Sequence, residues 1–208
     1  MPPQPARPYH HGDLRPALLR AAVEAIEQGG AAGISLREIA RRAGVSHAAA
    51  AYHFGDKAGL LSAVAAQGYR LVAQELRDSW DAQHDFGEMG VAYVRFAVRH
   101  RAHFEVMYRP ELYRPDDPDV LAARAGAAAL LYGTASPDRQ RLAAGAAAWS
   151  LMHGLATLWL NGNLPEQLGD DPEEIARMVA AYLNPPEGMT AATGARQATE
   201  PGGGDPGR

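Results

Sequence analysis

Two sets of side chains in this sequence have types and spacings that could do chemistry. The first lies between residues 35 and 57: Ser35, Arg37, Ser46, His47, Ala48, Ala49, Tyr52, His53 and Lys57. Hydroxyls, a phenol and cations of this kind hold phosphates, and imidazole and guanidinium groups can donate to base edges. Alanine can only touch a thymine methyl. The second set is Phe96, His100, His103, Phe104 and Met107, followed much later by Trp149, Met152 and His153. Each run repeats at three or four residues, so each forms a stripe along a helical stretch. Two such stripes facing each other would enclose an apolar cavity with aromatic walls and a few imidazoles, which suits a small organic ligand. The same stripes serve equally well as plain core. His100-x-x-His103 with His153 could also hold a metal, but no carboxylate or cysteine is placed to complete four ligands. Neither a metal nor a cofactor is therefore expected. A Ser-His-acid set, a phosphate loop, an HExxH pair and a Glu-x-x-His repeat are all absent from the sequence, which argues against an enzyme.

The first set needs a scaffold, and the stretch from Ser35 to Leu61 supplies one. Ser35 can cap a helix by accepting the free N–H groups of its first turn, and Glu38 three residues on makes a capping box. Leu36, Ile39 and Ala40 form an apolar stripe. Gly44 supplies the left-handed position that ends the helix, and Ser46 caps the next one. Two short helices joined by a glycine turn are the helix-turn-helix signature, whose second helix enters the major groove.

SLREIARRAGVS followed by YHFGDKAGLL resembles the N-terminal domain of the TetR/AcrR transcriptional regulators, and the likeness extends upstream through YHHGDLRPALLRAAVEAIEQGG. The resemblance implies a phosphate contact for Lys57, the only lysine in the chain; the bland alternative is a solvated surface charge. It also implies a phosphate-binding tyrosine at the position held here by Ala51, and Tyr appears one place later, at Tyr52. His53 either donates to phosphate or fills the turn. Arg7, His10 and His11 lie in an arm that either reaches the minor groove or stays disordered. Further along, Trp149-Ser-Leu-Met152-His153-Gly154-Leu155 resembles the Trp…His-Gly pattern of one C-terminal class of the same family.

The net charge of −4 divides unevenly. Residues 1–57 carry seven Lys/Arg against five Asp/Glu plus four of the eight histidines, whereas residues 58–184 carry eleven against sixteen. A basic N-terminal part and an acidic remainder match a protein that meets phosphates with one end. Cysteine is absent, which excludes a disulfide framework and a thiol sensor. Neither a run of about 20 apolar residues nor a secretory leader is visible, so no membrane span is expected and a cytoplasmic location follows.

These patterns predict an all-α fold. A flexible arm occupies 1–9, a helix-turn-helix domain 10–57, a helical regulatory and dimerisation domain 58–184, and a disordered tail 185–208. Helices are expected at about 12–28, 36–43, 47–53, 56–80, 86–100, 102–108, 119–132, 138–160 and 171–183. The first should stop at Gly29-Gly30, and Ser136-Pro137 should open the eighth. The small-residue run Ala143–Ala148 with Leu151, Leu158, Ile175, Val179 and Leu183 could form a dimer seam. The function expected is a sequence-specific regulator on a palindromic double-stranded operator, most simply a homodimeric repressor released by a small apolar or amphipathic effector. A helical-domain enzyme and a DNA-binding scaffold that senses nothing are the alternatives.

Overall fold

The structure is a computed structural model that describes residues 14–132 and 138–182. The arm, the tail and Ser136-Pro137 lie outside these. Among the described residues the regular elements are helical. The chain runs through α1 (Leu14–Gly33), α2 (Leu36–Arg42), α3 (His47–Phe54), α4 (Lys57–Gln83), α5 (Phe86–Arg99), α6 (Arg101–Met107), α7 (Pro118–Tyr132), α8 (Arg139–Leu160) and α9 (Pro172–Ala180).

Helices α1 to α3 close over one apolar cluster. Leu18, Ala22 and Ile26 of α1 meet Ile39 and Ala40 of α2 and Ala50 and Phe54 of α3, and all are buried. The guanidinium of Arg15 lies 5.5 Å from the centre of the Phe54 ring. Helix α1 does not stop at the glycine pair. Gly30 takes φ 73° and ψ 160°, a kink, and a short turn continues to Gly33. The turn persists because its opening N–H, at Ala31, donates to the Glu105 carboxylate of α6 at 3.0 Å.

Helix α4 begins in the small domain and ends in the large one, so the expected boundary after Lys57 falls in its first turn. Its apolar face, from Leu60 to Leu76, is buried throughout. Around it pack α5, α6 and α7, with α8 and α9 against α5. Polar ties fix the outer helices. Arg95 of α5 grips the Glu173 carboxylate of α9 through two bonds of 2.8 and 2.7 Å. Arg177 reaches back to Glu88 at 2.9 Å, and Arg70 of α4 pairs with Asp119 of α7. Among the described residues helix α8 is opened by Asp138, whose carboxylate accepts from the Gln140 N–H. Of the expected dimer seam, Leu151 and Leu158 are exposed, whereas Ile175 is buried within the chain at 1% exposure. Ile175 is core because α9 turns that face onto α5.

Candidate nucleic-acid interface and ligand cavities

The turn between α2 and α3 is built from local hydrogen bonds. Ser35 Oγ accepts from the Glu38 N–H at 3.2 Å, and Ser46 Oγ accepts from the Ala49 N–H at 3.1 Å. Gly44 takes φ 69°. There the Val45 N–H reaches back to the Ala40 carbonyl at 3.0 Å and the Gly44 N–H to that of Arg41 at 3.2 Å, the paired bonds that close a helix on a left-handed residue. The expected capping box forms only by half. Glu38 supplies its N–H, but its carboxylate turns away to Arg41 (2.8 and 2.7 Å) and Arg42 (3.0 Å). The hydrogen bonds from Arg41, then Arg42, hold the Glu38 carboxyl well below its usual range, at about 2. Two cations outcompete one neutral N–H for a carboxylate.

This arrangement presents the predicted DNA-facing residues together. Ser35, Arg37, Ser46, His47 and Ala48 are exposed on the face formed by the start of α2 and the start of α3, with Ala49 half-buried beside them. Ser35, Arg37, Arg41 and His47 border a shallow depression there. Tyr52 stands out from α3 at 88% exposure and touches the His53 ring edge-on. Ala51 is half-buried against the small-domain core, so the aromatic group at this end of α3 projects from the next position. Lys57 opens α4 just after its cap, Asp56, whose carboxylate accepts from the Gly59 N–H at 2.9 Å. The Lys57 ammonium donates to the Ala32 carbonyl at 2.8 Å.

The large domain holds an aromatic cluster. Tyr93 of α5, Phe104 of α6, Tyr108, Tyr132, and Trp149 and His153 of α8 lie ring against ring, with centroids 4.4 to 6.4 Å apart. The Tyr93 hydroxyl bridges the Tyr108 hydroxyl and His153 Nδ1, each at 2.8 Å. Burial raises the Tyr93 phenol far above its ordinary range and takes that of Tyr108 to about 12, so both stay protonated and serve as donors. Burial also lowers the His153 imidazole, which keeps it neutral. The Trp149 indole N–H is buried near these hydroxyls but makes no hydrogen bond among the described residues.

Three cavities surround this cluster. A small apolar one of about 30 Å³ is lined by Tyr93, Trp149 and Met152. One of about 480 Å³ is lined by Phe104, Glu105, Tyr108, Arg109 and His153. One of about 330 Å³ lies between α4, α7 and α8. Of the eight residues expected to meet a ligand, Phe104, Trp149, Met152 and His153 line these cavities. Phe96, at 0% exposure, and Met107, at 1%, are packed in the core and line none of the three. His100 sits at the corner between α5 and α6, 3.8 Å from Glu75. His103 is buried and meets Gln67 at 3.2 Å, with Nδ1 unpartnered among the described residues. Burial takes its imidazole down to about 4. Among the described residues no cluster of metal-ligating side chains forms. Tyr93 and Tyr108 were missed, yet a signal for both exists. Tyr93 lies three before Phe96 and Tyr108 four after Phe104, so the stripe extends one step each way. Tyr69 and Arg124 carry no such signal, because distant elements bring them to the cavity.

Comparison with known proteins agrees with this geometry. The family description "Bacterial regulatory proteins, tetR family" matches residues 18–64. "Tetracyclin repressor-like, C-terminal domain" matches residues 86–183. The chain is similar to the HTH-type transcriptional regulator BetI of Paraburkholderia phytofirmans, with 38% identity over 68 residues, which span 33% of this chain and 31% of that protein. A solved protein of unknown function from Rhodococcus sp. RHA1 is 31% identical, with a TM-score of 0.71 over 86% of this chain and 97% of that one. The TetR family transcriptional regulator PfmR from Thermus thermophilus shares the fold at 18% identity and a TM-score of 0.61, over 80% of this chain and 96% of its own. No helix among the described residues is long and apolar enough to cross a membrane. With both its halves matched, the chain belongs to the TetR family of transcription regulators, DNA-binding proteins of the helix-turn-helix type and not enzymes.

Proposed function

We propose that the protein is a repressor that binds an imperfect palindrome as a two-fold homodimer and leaves it when a small apolar or amphipathic molecule enters the large domain. One observation carries this reading. Helix α4 is a single unbroken element of 27 residues with Lys57 at its DNA end and Tyr69 and Leu76 on cavity walls. A ligand that favours one placement of this helix changes where the reading helix sits, through its differential affinity for the two forms. In this reading His47 and Arg37 address base edges. Ser35, Ser46, Tyr52, His53 and Lys57 hold phosphates, and Ala48 and Ala49 lie against the groove floor. The aromatic cluster around Phe104, Trp149, Met152 and His153 forms the effector chamber, with Phe96, His100, His103 and Met107 packed behind it.

The dimer is supported by the outward face of α8. Ala144, Ala147, Leu151 and Leu158 are exposed on one line with half-buried Gly154. Met178 at 43% and Tyr182 at 72% exposure stand beyond it at the end of α9. A self-complementary apolar strip of small and large residues suits an isologous contact. Two reading helices spaced by about one DNA turn, roughly 34 Å, would then match a palindrome. The test is selection of bound genomic fragments, followed by footprinting and by titration with salt and with candidate effectors. Protection of two symmetric half-sites, steep loss of affinity with salt, and release by a ligand are expected. A monomer on DNA, or an affinity indifferent to salt, would overturn the reading.

A further inference from the structure

We propose that the 330 Å³ cavity between α4, α7 and α8 receives an organic anion, a carboxylate carried on an aromatic or short apolar body, with Arg124 as its charge partner. This rests on reading the large domain as an effector site and specifies the chemistry it would accept. The walls are Tyr69, Tyr108, Leu131, Tyr132 and Trp149, and Arg124 is the one charged side chain among the described residues that line the space. Its volume falls near the lower end of the range for small-molecule pockets, about 300–1,000 Å³.

Arg124 differs from five other arginines of the large domain, although Arg77, Arg99, Arg101 and Arg139 share its lack of a carboxylate partner among the described residues. Arg70, Arg95, Arg109, Arg114 and Arg177 each meet a carboxylate from a neighbouring segment or turn. Arg124 meets none among the described residues, and the five residues after Tyr132, Gly-Thr-Ala-Ser-Pro, contain no acid. A guanidinium stays charged at any relevant pH and prefers a bidentate carboxylate. The Tyr132 hydroxyl also makes no hydrogen bond among the described residues and can donate to the same anion. The larger cavity suits an anion less well, because the Glu105 carboxylate lines it beside Arg101 and Arg109 and takes Arg109 at 3.2 Å. The Arg124 charge, without a carboxylate partner among the described residues, disfavours an ammonium ligand, and the four aromatic walls disfavour a strongly hydrated inorganic anion by desolvation.

The experiment uses the full chain and three probes, phenylacetate, 4-phenylbutyrate and octanoate, each with its primary amide, and 3-phenylpropylammonium as the cationic control. Binding is followed by calorimetry and by tryptophan fluorescence, with operator release measured in parallel. At least one carboxylate is expected to bind about ten- to hundredfold more tightly than its amide, the range for a hydrogen bond to a charged group. R124Q should reduce that ratio to near one while leaving amide binding and the circular dichroism spectrum unchanged, and R124K should retain part of it. Amides binding as tightly as acids, or an acid preference that survives R124Q, would overturn the proposal. A preference for the neutral or cationic probes that also releases DNA would overturn the anion assignment and leave the effector reading standing. No binding by probes of any charge, with none found in a wider compound screen, would end both.

Discussion

The reading face and the aromatic chamber are made by different kinds of contact. On the reading face each cap spans three residues: Ser35 to Glu38, Ser46 to Ala49, Asp56 to Gly59. In the chamber the bonds span 15 residues from Tyr93 to Tyr108, 38 from Tyr69 to Met107, and 60 from Tyr93 to His153. The face keeps its polar groups satisfied locally and exposed, ready for a partner. The chamber buries its polar groups and leaves some of them, such as the Trp149 N–H, without one. The helix caps of a surface that must grip a charged polymer thereby form from neighbours in sequence, whereas a cavity depends on several helices at once.

The sharpest way to break this contrast is at Gly59, where a Cβ would come within 1.9 Å of the Phe54 carbonyl oxygen. The clash is with backbone, so α3 and the first turn of α4 must part. Gly59→Ala is expected to destabilise the small domain by about 1–3 kcal/mol or more and to abolish operator binding. Thermal melting and gel shift check this, and normal binding would show that the α3–α4 contact is not fixed. Next comes His103. Its folded imidazole sits at about 4, below the unfolded value of 6.5, because burial disfavours the cation, with His100 adding to the effect. Stability is therefore intact above the unfolded value and falls as pH drops towards the folded one, by up to about 3 kcal/mol. His103→Leu should flatten that acid limb in denaturant titrations, and an unchanged slope would remove His103 as its source.

Two smaller effects sharpen the comparison. Tyr93→Phe keeps the ring but deletes the hydroxyl between Tyr108 and His153, at a cost of about 1–3 kcal/mol. Chemical denaturation should show the loss, while operator affinity of the folded protein stays the same. A drop in affinity would mean that the chamber and the face are coupled even without ligand. On the face itself, Lys57→Ala should weaken binding to all sequences alike and reduce the slope of log affinity against log salt by about one, whereas His47→Ala should change which half-site is preferred. If both variants lose affinity without a change in preference, His47 is not reading bases.

The difference in contact range also explains what could be read in the sequence. The helix-turn-helix is legible because caps, the glycine turn and the apolar stripe of Leu36, Ile39 and Ala40 are local signals. Helix positions were legible throughout, since the period is local too. The kink at Gly30 was not, because the turn beyond it depends on Glu105, 74 residues away. In the chamber, the stripe spacing identified Phe104, Trp149, Met152 and His153 as inward-facing. It could not distinguish these from Phe96 and Met107, which point inward equally but meet solid core. Whether an inward side chain finds a neighbour or a space is decided by the helix opposite, here by α4 and α7 bringing Tyr69 and Arg124.

The bond from Lys57 to the Ala32 carbonyl has a thermodynamic consequence. A free lysine samples many rotamers, and fixing it on a phosphate costs up to about 2 kcal/mol of conformational entropy. Lys57 is already held by one of its three ammonium hydrogens, so much of that freedom is surrendered on folding and two hydrogens remain for the nucleic acid. In a chain with a single lysine, the phosphate contact proposed for it would accordingly carry a smaller entropic penalty than a freely moving ammonium would.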